Sequence, residues 1–178
     1  MRKLLLSGLI LSGLLFSSCG ESGPQEEPIV APEGMHVLDL NRYGKPFIVF
    51  VPDTVKNKLE IVEQSYGALD IMCGNNFGIS ILGQKEDIEL RKTEIKDDEI
   101  NKFKSYIVEE PEAIFWESAI IDPEFHFLIN FKVGESEYNV RDLVDPAAEK
   151  PLGKEAVQKM FDSAKSIKEF KKAAPEAA

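Results

Sequence analysis

Apolar and polar residues alternate along much of this chain, and where the alternation stops the spacing becomes that of a helix. The longest alternating stretch runs from Phe125 to Val133. Phe125, Phe127, Ile129, Phe131 and Val133 face one way and His126, Leu128, Asn130 and Lys132 the other, as in a half-buried antiparallel strand. Gly134-Glu135-Ser136 makes a short loop, and Tyr138 and Val140 continue as the return strand. Nearer the start, Val37, Leu38 and Leu40 precede a turn at Asn41–Gly44, and FIVFV at Phe47–Val51 reads as a buried strand. Pro52, which has no N–H for a ladder, and Asp53, a turn former, end it. Leu59–Val62 and Leu69–Cys73 read as strands. Gly74-Asn75-Asn76 tolerates positive φ before Phe77, Ile79 and Ile81 alternate again, which predicts a hairpin.

Two segments carry helical spacing. Between Gln84 and Glu110, Ile100, Phe103, Tyr106 and Ile107 fall on one stripe; Asp97 or Asp98 is placed to cap it, and Ile88 and Ile95 suggest an earlier turn or two. Pro111 should close that helix, after which Ile114, Trp116, Ser118 and Ile120 resume strand alternation. A final helix from about Lys154 to Phe170 lines up Val157, Met160, Phe161, Ala164, Ile167 and Phe170, a stripe that should cover the chain's own sheet. The pattern predicts an α+β fold, a mostly antiparallel sheet covered by a central and a C-terminal helix. In its order of elements from Phe47 through Ile167, including the Val51-Pro52-Asp53 strand end and the serine-containing closing helix, the chain resembles the α/β/α sandwich of the photosystem extrinsic subunit PsbP and its bacterial relatives. That resemblance implies a binding or assembly role rather than catalysis, and it carries over no functional residue.

The N-terminus adds an address. Arg2 and Lys3 precede a largely apolar run of thirteen residues, Leu4 to Phe16, and Ser17 and Ser18 lead into Cys19. This is the order of a secretory signal, and the run falls short of the ~20 residues that span a hydrocarbon core. It resembles the lipoprotein signal of bacteria, in which the Cys is lipidated and becomes the first residue of the mature chain; Phe16 stands where that pattern prefers Leu. The resemblance implies more than one acyl chain on Cys19, enough for stable anchoring. Gly20, in place of Asp, resembles lipoproteins sorted to the outer membrane of Gram-negative cells. Glu21, Glu26 and Glu27 fit either a surface-export signal or a solvated linker. The expected organisation is a signal peptide at 1–18, a lipidated Cys19 and flexible tether at 19–34, one α+β domain at 35–171 and a disordered tail at 172–178.

Charge narrows the partners. The full chain carries −10; without its first 18 residues it has 19 basic residues against 31 acidic, a net of −12 over 160 residues. Such a chain repels phosphate backbones, so nucleic acid is not an expected partner. Its length suffices for a core without disulfides or metal. Cys73 shares the apolar face of its strand with Leu69 and Ile71 and is expected buried, with no partner if Cys19 holds lipid.

The chain has no GxSxG elbow, no Gly-rich phosphate loop, no paired Cys and no HExxH. Two candidate chemistries remain: a Cys73 thiolate activated by His126, which needs both on one sheet face whereas Cys73 takes the apolar face of its strand and His126 the polar face of its own, and a cation site at Asp97, Asp98 and Glu99, whose acids are already accounted for by the free amides and macrodipole of a helix N-terminus. His36 and His126 lie in unlike settings and make a poor metal site. No cofactor is expected. The candidate binding surface is the polar sheet face His126, Asn130 and Lys132 with Glu137 and Asn139 on the facing strand, beside Trp116 as an aromatic anchor. If helices cover both sides of the sheet, those polar groups must find partners. The expected function is a lipid-anchored, non-enzymatic envelope module that binds another protein or assists assembly, or else binds a small molecule or peptide.

Overall fold

A computed structural model describes residues 29–144 and 150–170; the leader, Cys19, most of the tether and the tail lie outside them. Among the described residues the chain forms two sheets and two α-helices, an α+β fold of mostly antiparallel strands. In chain order these are β1 (Met35–Asp39), a 3-10 turn (Asn41–Tyr43), β2 (Phe47–Pro52), β3 (Leu59–Glu63), β4 (Leu69–Cys73), β5 (Gly78–Leu82), α1 (Ile88–Asp97), β6 (Lys102–Glu110), β7 (Ala113–Ala119), β8 (Pro123–Val133), β9 (Ser136–Asp142), α2 (Lys154–Lys165) and β10 (Lys168–Glu169). The large sheet has the order β3-β4-β5-β9-β8-β7-β6 and the small one β1-β2-β10, antiparallel throughout.

The period-two pattern sorts residues onto two faces of the large sheet. Leu69, Ile71, Cys73, Ile79, Ile81, Val140, Ile129, Phe127 and Phe115 form the inner face, buried against β2 and α2. Phe161 of α2 stacks on Phe115 (5.5 Å between centroids) and meets Phe127 edge-on (5.7 Å), and the Ser163 hydroxyl donates to the Phe50 carbonyl on β2. On the outer face α1 covers only part of the sheet, with Ile88 and Ile95 packed on Ile114 and Leu128.

The hairpins follow their turn residues. Gly134 (φ 58°) and Glu135 join β8 to β9, and Gly74 (φ 63°) lets the chain leave β4 toward β5. At Gly78 the need is space: a Cβ there would stand 2.6 Å from the Leu143 carbonyl oxygen, where the backbones of β5 and the end of β9 are joined by the Leu143 N–H to Gly78 carbonyl bond. Gly78→Ala should therefore cost about 1–3 kcal/mol, read as a lowered urea midpoint at unchanged slope.

Two expected helices are redrawn. The stripe Ile100, Phe103, Tyr106 and Ile107 is no helix: 102–110 is the edge strand β6. It imitates helical spacing because it bulges twice, between Phe103 and Ser105 and between Tyr106 and Val108. Each bulge adds a residue and advances the side-chain phase, so Phe103 and Tyr106, three apart, meet on one face with tilted rings 4.7 Å between centroids. Pro111 and Glu112 are then the hairpin turn to β7, and the helix lies earlier, at Ile88–Asp97, capped by Asp87, whose carboxylate accepts the Glu89 and Leu90 N–H groups at 3.0 Å. At the other end of the chain α2 stops at Lys165, and 168–169 returns as a strand on β2, so Ile167 and Phe170 fall outside the helix.

Candidate functional site

Register brings the polar side chains of the outer face together. Trp116 on β7 stands opposite His126 on β8; on β9, Arg141 stands opposite Leu128, Asn139 opposite Asn130 and Glu137 opposite Lys132. With α1 on one side and α2 on the other, the buried members need partners, and all but the Asn139 Oδ1 find one, chiefly in the segment leading into α1. Asn130 donates through Nδ2 to the Glu86 carbonyl (2.8 Å) and to the Glu112 carboxylate (3.1 Å), while its Oδ1 accepts the Glu86 N–H (3.0 Å). Asn139, wholly buried, donates to the Gln84 carbonyl at 3.0 Å. These two asparagines thus fasten residues 84–86 to the sheet, while Lys132 and Glu137 remain at the solvent end.

Where α1 leaves the sheet, a cleft of about 200 Å³ opens, lined by Glu86, Arg91, Trp116, His126, Leu128 and Arg141, among others. Glu86 Oε1 accepts from Arg91 Nε at 2.8 Å, its Oε2 lies 3.6 Å from an Arg141 Nη, and Arg91 also pairs with Glu94 one turn on at 3.1 Å. Arg141 therefore has one long ionic contact and a guanidinium partly open to solvent.

His126 sits at the cleft's inner wall between two carboxylates. Its Nδ1–H donates to Asp142 Oδ2 at 2.9 Å and its Nε2 lies 3.4 Å from Glu124 Oε2, which also accepts the Asn101 amide at 2.9 Å. Asp142 Oδ1 takes the Phe127 N–H at 2.8 Å, so the same carboxylate orients the imidazole and extends the β8–β9 ladder. Burial, the largest single influence, opposes the imidazolium, but the Asp142 and Glu124 carboxylates together outweigh it and hold the His126 pKa above its usual 6.5. The ring lies 5.4 Å from that of Trp116, the single tryptophan in the chain.

This geometry predicts a pH dependence. In both folded and unfolded chains the imidazole is protonated well below pH 6.5, so the extra stability is complete there. It is lost as pH rises from about 6.5 through the higher folded value. Trp116 emission should titrate with a midpoint above 6.5, and Asp142→Asn should bring that midpoint down. An unchanged midpoint in Asp142→Asn would contradict the assignment.

The remaining candidates are spread over the domain. Cys73 belongs to the inner face and its Sγ lies 3.5 Å from the Pro52 carbonyl; burial first, then the charge of Asp53, pushes the thiol pKa up. His126 lies on the outer face, so the candidate thiolate–imidazole pair is not brought together, as the opposite faces of their two strands imply. Asp98 follows α1 rather than capping its start, and its carboxylate accepts the Ile100 and Asn101 N–H groups at 2.8 Å. Among the described residues no group of three or more metal-ligating side chains converges, and no helix is long and apolar enough to cross a membrane. His36 pairs with Asp53 at 3.0 Å in solvent. Arg141 and Asp142 were missed because the alternation was followed only to Val140; one more residue would have placed Arg141 on the face of Glu137 and Asn139. Glu86 and Arg91 were missed with the helix that holds them. No protein-family model, curated protein or solved structure matches this chain.

Proposed function

We propose that this chain is a lipid-anchored protein of the cell envelope whose domain binds a protein partner through the outer sheet face, without catalysing a reaction. The observation that carries the reading is the cleft beside α1. Two guanidinium groups, an imidazole and an indole converge there on an aliphatic floor, and arginine and tryptophan are the side chains that dominate interface energetics. At about 200 Å³ it is smaller than the ~300–1,000 Å³ of sites that enclose a whole small molecule, and it matches one inserted side chain or a chain end of a partner. The anchor rests on the Leu4–Cys19 segment and its likeness to bacterial lipoprotein signals, with Gly20 favouring the outer membrane in a two-membrane cell. Helices on opposite faces of one sheet support the PsbP-like α/β/α layering, which we carry as part of this proposal.

A second reading has its own support. A groove of about 910 Å³ at the Cys73 end, lined by Met35, Pro52, Phe77 and Leu152 with Asn57 and Asn75 on its rim, falls within the size range for a small molecule or peptide.

Crosslinking pull-down from native membranes separates the two. The lipidated protein should recover a specific envelope protein that Cys19→Ala does not, and Arg141→Ala should reduce recovery about tenfold or more, the effect of losing one interface anchor. Recovery of no partner by any form would discard the protein-binding reading in favour of the groove.

A further inference from the structure

The antiparallel register fixes which loops share an end of the large sheet. Cys73 closes β4, Gly78 opens β5, Asp142 closes β9, Pro123 opens β8, Ala119 closes β7 and Lys102 opens β6. The connections at 74–77, 98–101 and 120–122 therefore emerge together. The N-terminal chain enters at this end too, since Met35 pairs with Pro52 and the Pro52 carbonyl lies against Cys73 Sγ.

This end exposes several large apolar side chains among its polar loop residues. Ile121 is 91% exposed, Ile100 74% and Ile120 56%. Lys102 pairs with Ala119 and the Asn101 amide reaches Glu124, which puts Ile100 alongside Ile120 and Ile121 at one corner. Two adjacent β-branched residues in a tight connection serve no turn geometry, which calls for Gly, Asn or Asp. Val55 (86% exposed), in the turn after β2, and Val144, just past β9, lie at the same end. Across the sheet the loops around 64–68, 83–87, 111–112 and 134–135 expose a single large apolar side chain, Tyr66.

We infer that this end rests on the bilayer that holds Cys19, with Ile120 and Ile121 entering the interfacial layer. The inference depends on the lipid-anchor reading above. The fourteen residues from Gly20 to Glu33 reach ~46 Å at full extension and ~20 Å as a coil, so the anchor keeps the domain at high effective concentration over the membrane, where a weak apolar contact suffices to orient it. Asp97, Asp98, Glu99 and Asp122 flank the isoleucines against Lys96 and Lys102, a net negative rim that suits a zwitterionic surface and opposes an anionic one.

The test uses the full lipidated chain on phosphatidylcholine vesicles, carrying Cys73→Ala and a nitroxide at either Ile121→Cys or Tyr66→Cys. Wild type should float with the vesicles and Cys19→Ala should not. The label at 121 should then collide several-fold less with an aqueous nickel chelate and more with lipid-dissolved oxygen than the label at 66. Equal nickel accessibility at 121 and 66 on floating vesicles overturns the docking while leaving the anchor standing. Shielding at 121 from both reagents would assign the tip to a protein contact and also overturn it. Absence of flotation would remove anchor and docking together.

Discussion

Phe161→Ala should lower the stability of the domain by about 3–5 kcal/mol, a large part of the ~5–15 kcal/mol that a domain possesses. Phe161 lies between Phe115 and Phe127, both wholly buried on the inner face, and its ring is what α2 contributes to the centre of the core. Truncation leaves a cavity bounded by two aromatic rings and a sheet, surroundings that cannot collapse far to fill it. Equilibrium unfolding in urea, followed by far-UV circular dichroism, measures the loss. A change below ~1 kcal/mol would mean that α2 is not seated as described.

Asn130→Ala should cost about 2–4 kcal/mol and also disable the proposed site. The side chain makes three hydrogen bonds, two of them to the backbone of Glu86, and its removal strands a donor and an acceptor in a partly buried place. Because Asn130 and Asn139 fasten residues 84–86, the loss should be local before it is global. Hydrogen exchange should accelerate across 84–97 while β4 and β5 keep their protection, and partner recovery should fall with it. Uniform acceleration would deny Asn130 this pinning role. In this account the asparagines of the polar face serve the site by positioning Glu86 and Arg91, and the contacts to a partner come from Trp116, Arg91 and Arg141.

The strand pattern was legible wherever alternation was unbroken. The inner and outer faces of β8, the β4–β5 hairpin and the burial of Cys73 all follow from period two. It failed at β6, where two bulges turned a strand's spacing into a helix's, and at α1, which buries only Ile88 and Ile95 and so writes almost no stripe into the sequence. Composition held the corrective signal: Tyr106, Ile107 and Val108 in succession favour a strand, and Asp87 immediately before Ile88 is a better cap than Asp97. Of the candidate surface, His126 and Trp116 were found because they alternate on recognised strands. Arg141 and Asp142 lie one and two residues past Val140, where the apolar alternation ends. The pairing of Glu86 with Arg91 and Arg141 depends on where α1 crosses the sheet, a tertiary fact that no local spacing records.

The partner-binding face is tested most sharply by site-specific photocrosslinking in native membranes, with the reactive group introduced at Glu94, which pairs with Arg91 of the cleft, or at Tyr66 in the β3–β4 turn. A discrete adduct with an envelope protein should form from position 94 and be abolished by Arg141→Ala, and none should form from position 66. An adduct from 66 with none from 94 would contradict this.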